Sequence, residues 1–380
     1  MQLPSSYLKS STMPASSTAA TTSMVLNNFT KNQANDNGED LEKLTSECKE
    51  LLLSLPREKG WRTACLYKYK GFWCQSKEIE AIISFEKHFQ PRDTDVILAS
   101  IPKSGTTWLK ALSFAIVNRK KFAISSDGHP LLASNPHDLV PFFEYKLYAE
   151  KQVPDLSKLP DPRLFATHIP FDALQDSVKN SGCRIIYICE IQGWLLLARL
   201  AIQGYSQAVR VAHPSQYRHL PQYMLSELGY TIPGKLDEEH FESFFKGQVA
   251  LGPFWDHVFG YWKESLEKPH KTSFFMYEDL KGDIVSNLKR LAEFIGYPFS
   301  AEEEKRGVIQ EIADLCSLKS LKDLEVNKSG SYGGKYANNS FFRKGEVGDW
   351  ANYLSSTMMQ RLEKLMQEKL SGSGLIFKMS

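Results

Sequence analysis

The chain has 380 residues, and its 46 Lys and Arg against 44 Asp and Glu give a formal net charge of +2. This balance excludes a general attraction to nucleic acid or to an anionic membrane, so any anion site must be local. No apolar run approaches the roughly 20 residues that cross a membrane. The six cysteines show no metal-ligand spacing, which predicts reduced thiols, a cytoplasmic protein and no metal site.

The first part of the chain, residues 1–40, is rich in Ser, Thr and Asn and has no acidic residue before Asp36. This composition predicts a disordered tail. Organellar transit peptides are usually rich in Arg, and the absence of Arg here favours a plain tail. A single domain is expected over residues 41–380.

The predicted elements alternate between helices and strands. Apolar spacing predicts helices over residues 41–55 and 76–89, and the first strong strand covers residues 93–101 and leads into a further helix. The later elements are three short strands and a helix: RLFATHI from Arg163, CRIIYIC from Cys183, KTSFFMY from Lys271 and IVSNLKRLAEFIGY from Ile284. This alternation, with continuous apolar strands, predicts an α/β fold with a central parallel sheet flanked by helices.

The stretch ILASIPKSGTTWLKAL predicts a phosphate site where a strand turns into a helix. Gly105 permits a tight backbone, and a helix starts at Thr106 or Thr107 with amides and a dipole that suit an anion. Lys103 adds a charge, and Ser104 adds a hydroxyl beside those of the two threonines. Lys103 precedes Gly105, whereas a Walker A loop has Lys after its second Gly, which disfavours a P-loop kinase. The alternative is an ordinary polar turn.

PKSGTTW resembles the 5′-phosphosulfate loop of cytosolic sulfotransferases, which use 3′-phosphoadenosine 5′-phosphosulfate (PAPS) as donor. Four later segments resemble family motifs in the same order: FATHIPF, FFMYEDL, LCSLKSLKDLEVNK and FFRKGEVGDW. The likeness covers about residues 55–189 and about residue 236 to the end. GWRTACLYKYKGFWCQ and SNPHDLVPFFEYKLY resemble the plant branch, near the hydroxyjasmonate and flavonol sulfotransferases. The resemblance implies the P-loop-like sulfotransferase fold.

The resemblance also implies residue roles. FATHIPF places the catalytic histidine at His168, and a neutral imidazole suits a general base at pH 7. Lys103 is the second catalytic candidate because it can stabilise charge on the leaving phosphate. His137, in a loop after Pro136, is a weaker candidate for the acceptor pocket. The residues implied in nucleotide binding are Lys103, Ser104, Gly105, Thr106, Thr107, Trp108, Tyr277, Ser317, Leu318, Arg343, Lys344 and Gly345.

Several of these residues also allow a structural interpretation. A lone histidine is commonly a hydrogen-bonded core or surface residue, Tyr277 could pack in the core, and RKGEVGD could be a solvated loop. The expected acceptor is a small hydroxylated plant metabolite, and LVPFFEYKLY offers aromatic walls for it. The alternative is that Phe142, Phe143 and Tyr145 fill the core.

The sequence departs from the family at residues 190–235. After the third strand, the family pattern C-R-N-P-x-D-x-x-x-S-x-W supplies an Arg and a Ser that hold the 3′-phosphate. In register from Cys189, Glu190 stands at the Arg position and Ala198 at the Ser position. An anion beside a phosphate weakens binding on the order of a thousandfold. The alternatives are therefore an impaired or inactive member that binds nucleotide weakly, or an altered exon boundary in the gene model. Arg199 and Ser206 are out of register as substitutes.

Overall fold

A computed structural model describes residues 44–60, 63, 65–149, 153–190, 238–333, 336–347 and 355–375, without the side chains of residues 238–241. The predicted tail, residues 41–43 and the atypical segment beyond Glu190 lie outside these ranges. The described residues belong to two compact units, which divide between Leu55 and Pro56. In the first unit, helix α1 (Ser46–Ser54) begins after Thr45, whose side chain accepts from the Cys48 amide.

The second unit starts with a small antiparallel sheet that the sequence analysis did not predict. Its strands are β1 (Arg57–Lys59), β2 (Cys65–Tyr69) and β3 (Phe72–Cys74). Gly71, with a φ of +89°, lies in the turn between β2 and β3. The strands are short and rich in aromatic residues, so their sequence carries little period-two alternation.

The central sheet has four parallel strands in the order β5-β4-β6-β7, which confirms the predicted parallel sheet. The strands are β4 (Val96–Ser100), β5 (Leu164–Thr167), β6 (Arg184–Cys189) and β7 (Thr272–Met276). Ser100 pairs with Ile188, and Cys189 pairs with Met276. The carboxyl ends of all four strands therefore meet at one edge of the sheet, where α/β proteins usually bind ligands.

The helices of the second unit flank this sheet. Those before β7 are α2 (Ser76–His88), α3 (Thr106–Asn118), α4 (Pro130–Ala133), α5 (Pro136–Leu139), α6 (Asp176–Asn180), α7 (Glu238–Phe245) and α8 (Phe254–Glu267). Those after it are α9 (Tyr277–Gly282), α10 (Ile284–Ile295), α11 (Ala301–Lys305), α12 (Val308–Leu315), α13 (Leu318–Asp323), α14 (Glu325–Lys328) and α15 (Ser356–Lys369). The smaller elements are the π-helical turn Phe143–Leu147, the 3-10 turns Phe171–Ala173 and Asn338–Phe341, and the short strands β8 (Ser331–Tyr332) and β9 (Tyr336–Ala337).

The core lies between the central sheet and the long helices α3 and α10. Every residue of β4 is buried, as its continuous apolar run predicts. At the amino end of the sheet, Arg163 makes a two-pronged ion pair with Asp95, at 2.7 Å and 2.5 Å, that joins the chain before β5 to the chain before β4. No helix within the described ranges is long and apolar enough to cross a membrane.

Candidate active site

Lys103 and Gly105 form the corner between β4 and α3, and residues 103–107 are called the β4–α3 corner below. Both residues have positive φ, +70° and +92°, a conformation that glycine adopts readily and lysine rarely. A Cβ on Gly105 would lie 2.8 Å from Cδ2 of Tyr277 and 3.1 Å from Cδ1 of Ile188. Helix α3 begins at Thr106, as predicted. Its first amides have no partner within the helix and point to an anion site.

One polar side chain of the corner, that of Ser104, differs from the others in its hydrogen bonding. Ser104 is fully buried, and its Oγ has no hydrogen-bond partner among the residues that the structure describes. Oγ1 of Thr106 lies 2.6 Å from Oγ of Ser100, and Nζ of Lys103 donates to the Ser340 carbonyl at 3.1 Å. A buried hydroxyl without a partner is costly, so the Ser104 hydroxyl fits a ligand oxygen.

His168 follows β5 directly and is 7% exposed. Its Nδ1 lies 2.6 Å from the carbonyl oxygen of Ser100, so Nδ1 carries the hydrogen and Nε2 is the nitrogen that can accept a proton. Burial, aided by the nearby charge of Lys110, lowers the pKa of this imidazole to about 3 and keeps it neutral at pH 7. Because Ser100 also bonds Thr106, the histidine is joined to the β4–α3 corner.

Glu144 and His257 hold the backbone of His168. The His168 amide donates to Oε1 of Glu144 at 2.5 Å, and its carbonyl lies 2.9 Å from Nε2 of His257. Thr167 donates its hydroxyl to Oε2 of Glu144 at 3.1 Å. Burial raises the pKa of Glu144 to about 7. Sequence reasoning missed both residues; for Glu144 the signal was a single acid inside the apolar run LVPFFEYKLY.

His137 lies in a different place from the one predicted. It is part of the short helix α5 and is 3% exposed, rather than lying in a loop. Its Nε2 is 2.9 Å from Oγ1 of Thr107, and its Nδ1 is 2.9 Å from Nζ of the fully buried Lys110. Burial first, and then the charge of Lys110, lower the pKa of His137 well below its usual value. Its ring nitrogens therefore face side chains of α3.

Tyr277, Trp108, Leu318 and Gly345 come together on the other side of the corner. The Tyr277 hydroxyl donates to the Gly345 carbonyl at 3.2 Å, and its ring centroid is 5.4 Å from that of Trp108. Gly345 has a φ of +61°, and a Cβ there would lie 2.7 Å from Cδ2 of Leu318. Nε1 of Trp108 is buried and has no hydrogen-bond partner in the described part of the chain. These rings and this N–H suit a planar heteroaromatic base.

The remaining predicted residues occupy the loops around Tyr277. Ser317 caps α13, because its Oγ accepts from the Ser320 amide at 3.1 Å. Arg343 is half-buried and Lys344 is exposed. The positive charge of Arg343 lowers the pKa of the Tyr277 hydroxyl, against the larger raising effect of burial. Arg343 therefore lies within electrostatic reach of the Tyr277 ring.

Glu190 is the last described residue after β6 and is 9% exposed. Burial is the main cause that raises the pKa of Tyr277 and of Cys189, and the negative charge of Glu190 raises both further. Glu190 is thus buried close to Tyr277. The charge of Arg343 shifts the pKa of the same tyrosine in the opposite direction. Ala198, Arg199 and Ser206 lie outside the described residues.

The sulfotransferase domain family matches residues 93–374, which is more than half of the chain. The chain belongs to the sulfotransferase family. Arabidopsis thaliana cytosolic sulfotransferase 15 is 49% identical over 350 residues, covering 90% of each chain. Arabidopsis thaliana cytosolic sulfotransferase 14 is 50% identical over 347 residues, covering 90% of this chain and 94% of its own. The predictions of a plant cytosolic sulfotransferase and of an enzyme are confirmed.

Solved structures confirm the fold of this sulfotransferase. The crystal structure of an Arabidopsis thaliana sulphotransferase matches with a TM-score of 0.65 and 36% identity, covering 90% of this chain and 97% of its own. Mouse sulfotransferase SULT7A1, complexed with PAP (adenosine 3′,5′-bisphosphate), matches with a TM-score of 0.54 and 24% identity, covering 81% of this chain and 95% of its own. At that identity the mouse protein supports the fold alone.

The aromatic run of this sulfotransferase divides between core and site. Phe143 is fully buried, and its ring packs 5.0 Å from that of Phe165. The rings of Phe142 and Tyr145 lie 4.6 Å and 5.8 Å from the ring of His168. Phe143 therefore belongs to the core, and the role of Phe142 and Tyr145 as walls for an acceptor stays a prediction. Among the described residues, no group of three or more His, Cys, Asp or Glu is placed to hold a metal ion.

Proposed function

We propose that this sulfotransferase moves a sulfuryl group from PAPS to a hydroxyl of a small plant metabolite. The observation that carries the proposal is the link through Ser100, which bonds Nδ1 of His168 at 2.6 Å and Oγ1 of Thr106 at 2.6 Å. A proton acceptor thus lies beside a helix N-terminus suited to an anion. The buried Ser104 hydroxyl, which has no hydrogen-bond partner among the described residues, supports a phosphate in the β4–α3 corner.

In this proposal the donor nucleotide lies along the carboxyl edge of the sheet. The amides at the start of α3 and Lys103 hold the phosphosulfate. Trp108 and Tyr277 face the adenine, which their rings and the Trp108 N–H support. The loop of Arg343, Lys344 and Gly345, together with Ser317 and Leu318, lies on the side of the 3′-phosphate.

The transfer step follows from these positions. The acceptor oxygen forms a bond to sulfur while the bond between sulfur and the bridging oxygen breaks. Nε2 of His168 takes the hydroxyl proton, since Nδ1 already donates to Ser100. The electron pair of the broken bond stays on the 5′-phosphate, where the Lys103 ammonium stabilises the new charge. The proposal assigns no role to a metal ion.

The proposed acceptor is a hydroxylated metabolite of the hydroxyjasmonate, flavonoid or steroid type. Phe142 and Tyr145 place aromatic surface next to His168, which supports an apolar or aromatic acceptor body with its hydroxyl near Nε2. The names of the Arabidopsis relatives agree with action in the cytosol, where such small acceptors are available. No role with nucleic acid or membranes is proposed.

The experiment that tests this function compares His168→Ala with His88→Ala, a change at an exposed histidine. Transfer of labelled sulfur from PAPS to a panel of hydroxylated acceptors is measured for both variants and the unmodified protein. Loss of a general base lowers turnover about a hundredfold to ten-thousandfold, with little change in PAPS affinity. Near-full turnover in His168→Ala would sink the assignment of the base.

A second candidate function, weak nucleotide binding with impaired transfer, is favoured by the buried Glu190. In this case the unmodified protein binds PAP weakly and discriminates poorly between PAP and adenosine 5′-phosphate, since an anion replaces the expected cation. Calorimetry on Glu190→Arg, with Glu190→Gln as the neutral control, separates charge reversal from charge removal. A preference for PAP of orders of magnitude in the unmodified protein would show that other residues hold the 3′-phosphate. The first to mutate would then be Arg199, Arg210, Arg343 and Lys344.

A further inference from the structure

Thr107, His137 and Lys110 form a continuous chain of hydrogen bonds at the start of α3, in which Thr107 is half-buried and the other two residues are buried. Oγ1 of Thr107 lies 2.9 Å from Nε2 of His137, whose Nδ1 lies 2.9 Å from Nζ of Lys110. Lys110 is fully buried, and its Nζ lies 3.3 Å from the ring centroid of Phe142. Thr107 and Lys110 are three residues apart on one helix, so they share a face.

The hydrogens of this chain can be assigned from the chemistry of its members. A protonated lysine can only donate, so Nδ1 of His137 accepts and the neutral imidazole carries its hydrogen on Nε2. That hydrogen is donated to Oγ1 of Thr107. The threonine oxygen then acts as an acceptor towards His137, and its own hydrogen points to another partner.

The opposite arrangement is the alternative when Lys110 is an uncharged amine. Nδ1–H of His137 would then donate to the amine, and the Thr107 hydroxyl would give its hydrogen to Nε2. Burial lowers the pKa of Lys110 well below its usual value, whereas the charges of Glu144 and Asp138 raise it. The Phe142 ring face favours the cation, and so does an anion at the start of α3. Anion binding and the donating state of Thr107 therefore stabilise each other.

We propose that Lys110 and His137 are positioning residues that orient the Thr107 hydroxyl to donate its hydrogen to the donor nucleotide's 5′-phosphosulfate group. The proposal rests on the proposed function of the β4–α3 corner. It gives a role to a buried lysine and a buried histidine that the transfer step does not use. Neither of them touches the nucleotide in this arrangement, and both act through Thr107.

The test is a double-mutant cycle on PAP affinity, measured by calorimetry. Lys110→Met keeps the length of the side chain and removes the donor. It is expected to weaken PAP binding roughly ten- to 150-fold, the effect of one hydrogen bond to a charged group. In a Thr107→Val background the same change is expected to have no further effect. In a Thr107→Ser background, which keeps the hydroxyl, the effect of Lys110→Met is expected to return.

The proposal is overturned if Lys110→Met weakens PAP binding as much in the Thr107→Val background as in the unmodified protein, or if it has no effect in the unmodified protein. If Lys110→Met does not fold, as judged by its thermal midpoint, the double change Lys110→Met/His137→Phe replaces both polar partners by apolar groups of similar shape and enters the same cycle. Lys103→Ala distinguishes a failure of the phosphate site at the corner from a failure of the orienting role of Lys110 and His137. If Lys103→Ala weakens PAP binding while the cycle shows no coupling, the orienting role of Lys110 and His137 is wrong, and the phosphate site at the β4–α3 corner is kept. If Lys103→Ala leaves PAP binding unchanged, both the phosphate site at the corner and the orienting role of Lys110 and His137 are wrong.

Discussion

Replacement of Gly105 by alanine tests how closely the β4–α3 corner and the Tyr277 ring fit together. Alanine at a φ of +92° costs about 1–2 kcal/mol relative to glycine. The new Cβ would also lie 2.8 Å from Cδ2 of Tyr277, so the ring must move. That ring is held by its hydrogen bond to the Gly345 carbonyl at 3.2 Å and by Trp108. Overpacking of this kind costs about 1–3 kcal/mol.

Gly105→Ala is therefore expected to destabilise the protein by about 2–5 kcal/mol in all. Gly71→Ala is the matched control: its φ is +89° and no atom lies within 4 Å of the added Cβ. Gly71→Ala is therefore expected to lose only the stability that alanine costs at a positive φ, about 1–2 kcal/mol. Urea unfolding of both variants gives the difference, which measures the contact with Tyr277. A loss of stability in Gly105→Ala no larger than in Gly71→Ala would show that the Tyr277 ring does not restrict the corner.

Three further predictions concern the groups around His168 and the opposite end of the sheet. The raised pKa of Glu144, about 7 against 4.5, means that the folded protein binds the extra proton, so this group's contribution to stability falls as pH rises from 4.5 to 7. In urea unfolding, the unmodified protein should lose about 2.5 kcal/mol of stability relative to Glu144→Gln between pH 5 and pH 8; a constant difference contradicts this. The His168 ring, with a pKa of about 3, should stay neutral by NMR down to about pH 4 in the free protein and titrate at higher pH with PAP bound, and an unchanged titration would count against a nearby phosphate. Asp95→Asn, which breaks the buried pair with Arg163, should cost about 3–5 kcal/mol and leave PAP affinity unchanged; a weaker affinity would show that the amino end of the sheet influences the site.

The sequence predicts the fold best where local signals are strong. Continuous apolar runs predicted β4, β6 and β7, and an amphipathic run predicted α10 with its first residue, Ile284, correctly placed. Gly105 between a strand and Thr106 predicted the corner, because only glycine combines a positive φ with close approach to a ring. The small sheet β1–β3 was missed because its strands are too short to show a period.

The site could be predicted only in part. Motif resemblance pointed to Tyr277 and Gly345, which the structure joins by a hydrogen bond across 68 positions of the chain. No motif resemblance pointed to Lys110 or Glu144, and a charged residue is normally assigned to a solvated face, so the single acid in LVPFFEYKLY was overlooked. Their burial depends on helix packing, which brings Lys110 to His137 and Glu144 to His168.

The most direct test of the central claim, that the donor binds in the β4–α3 corner, is calorimetric titration of PAP into Lys103→Ala. Lys77→Ala, a change at an exposed lysine, is the control for a loss of charge elsewhere. PAP affinity is expected to fall about tenfold or more in Lys103→Ala, the effect of one charge-assisted contact, and to stay unchanged in Lys77→Ala. Equal PAP affinity in Lys103→Ala and the unmodified protein would show that the nucleotide binds elsewhere than in the β4–α3 corner.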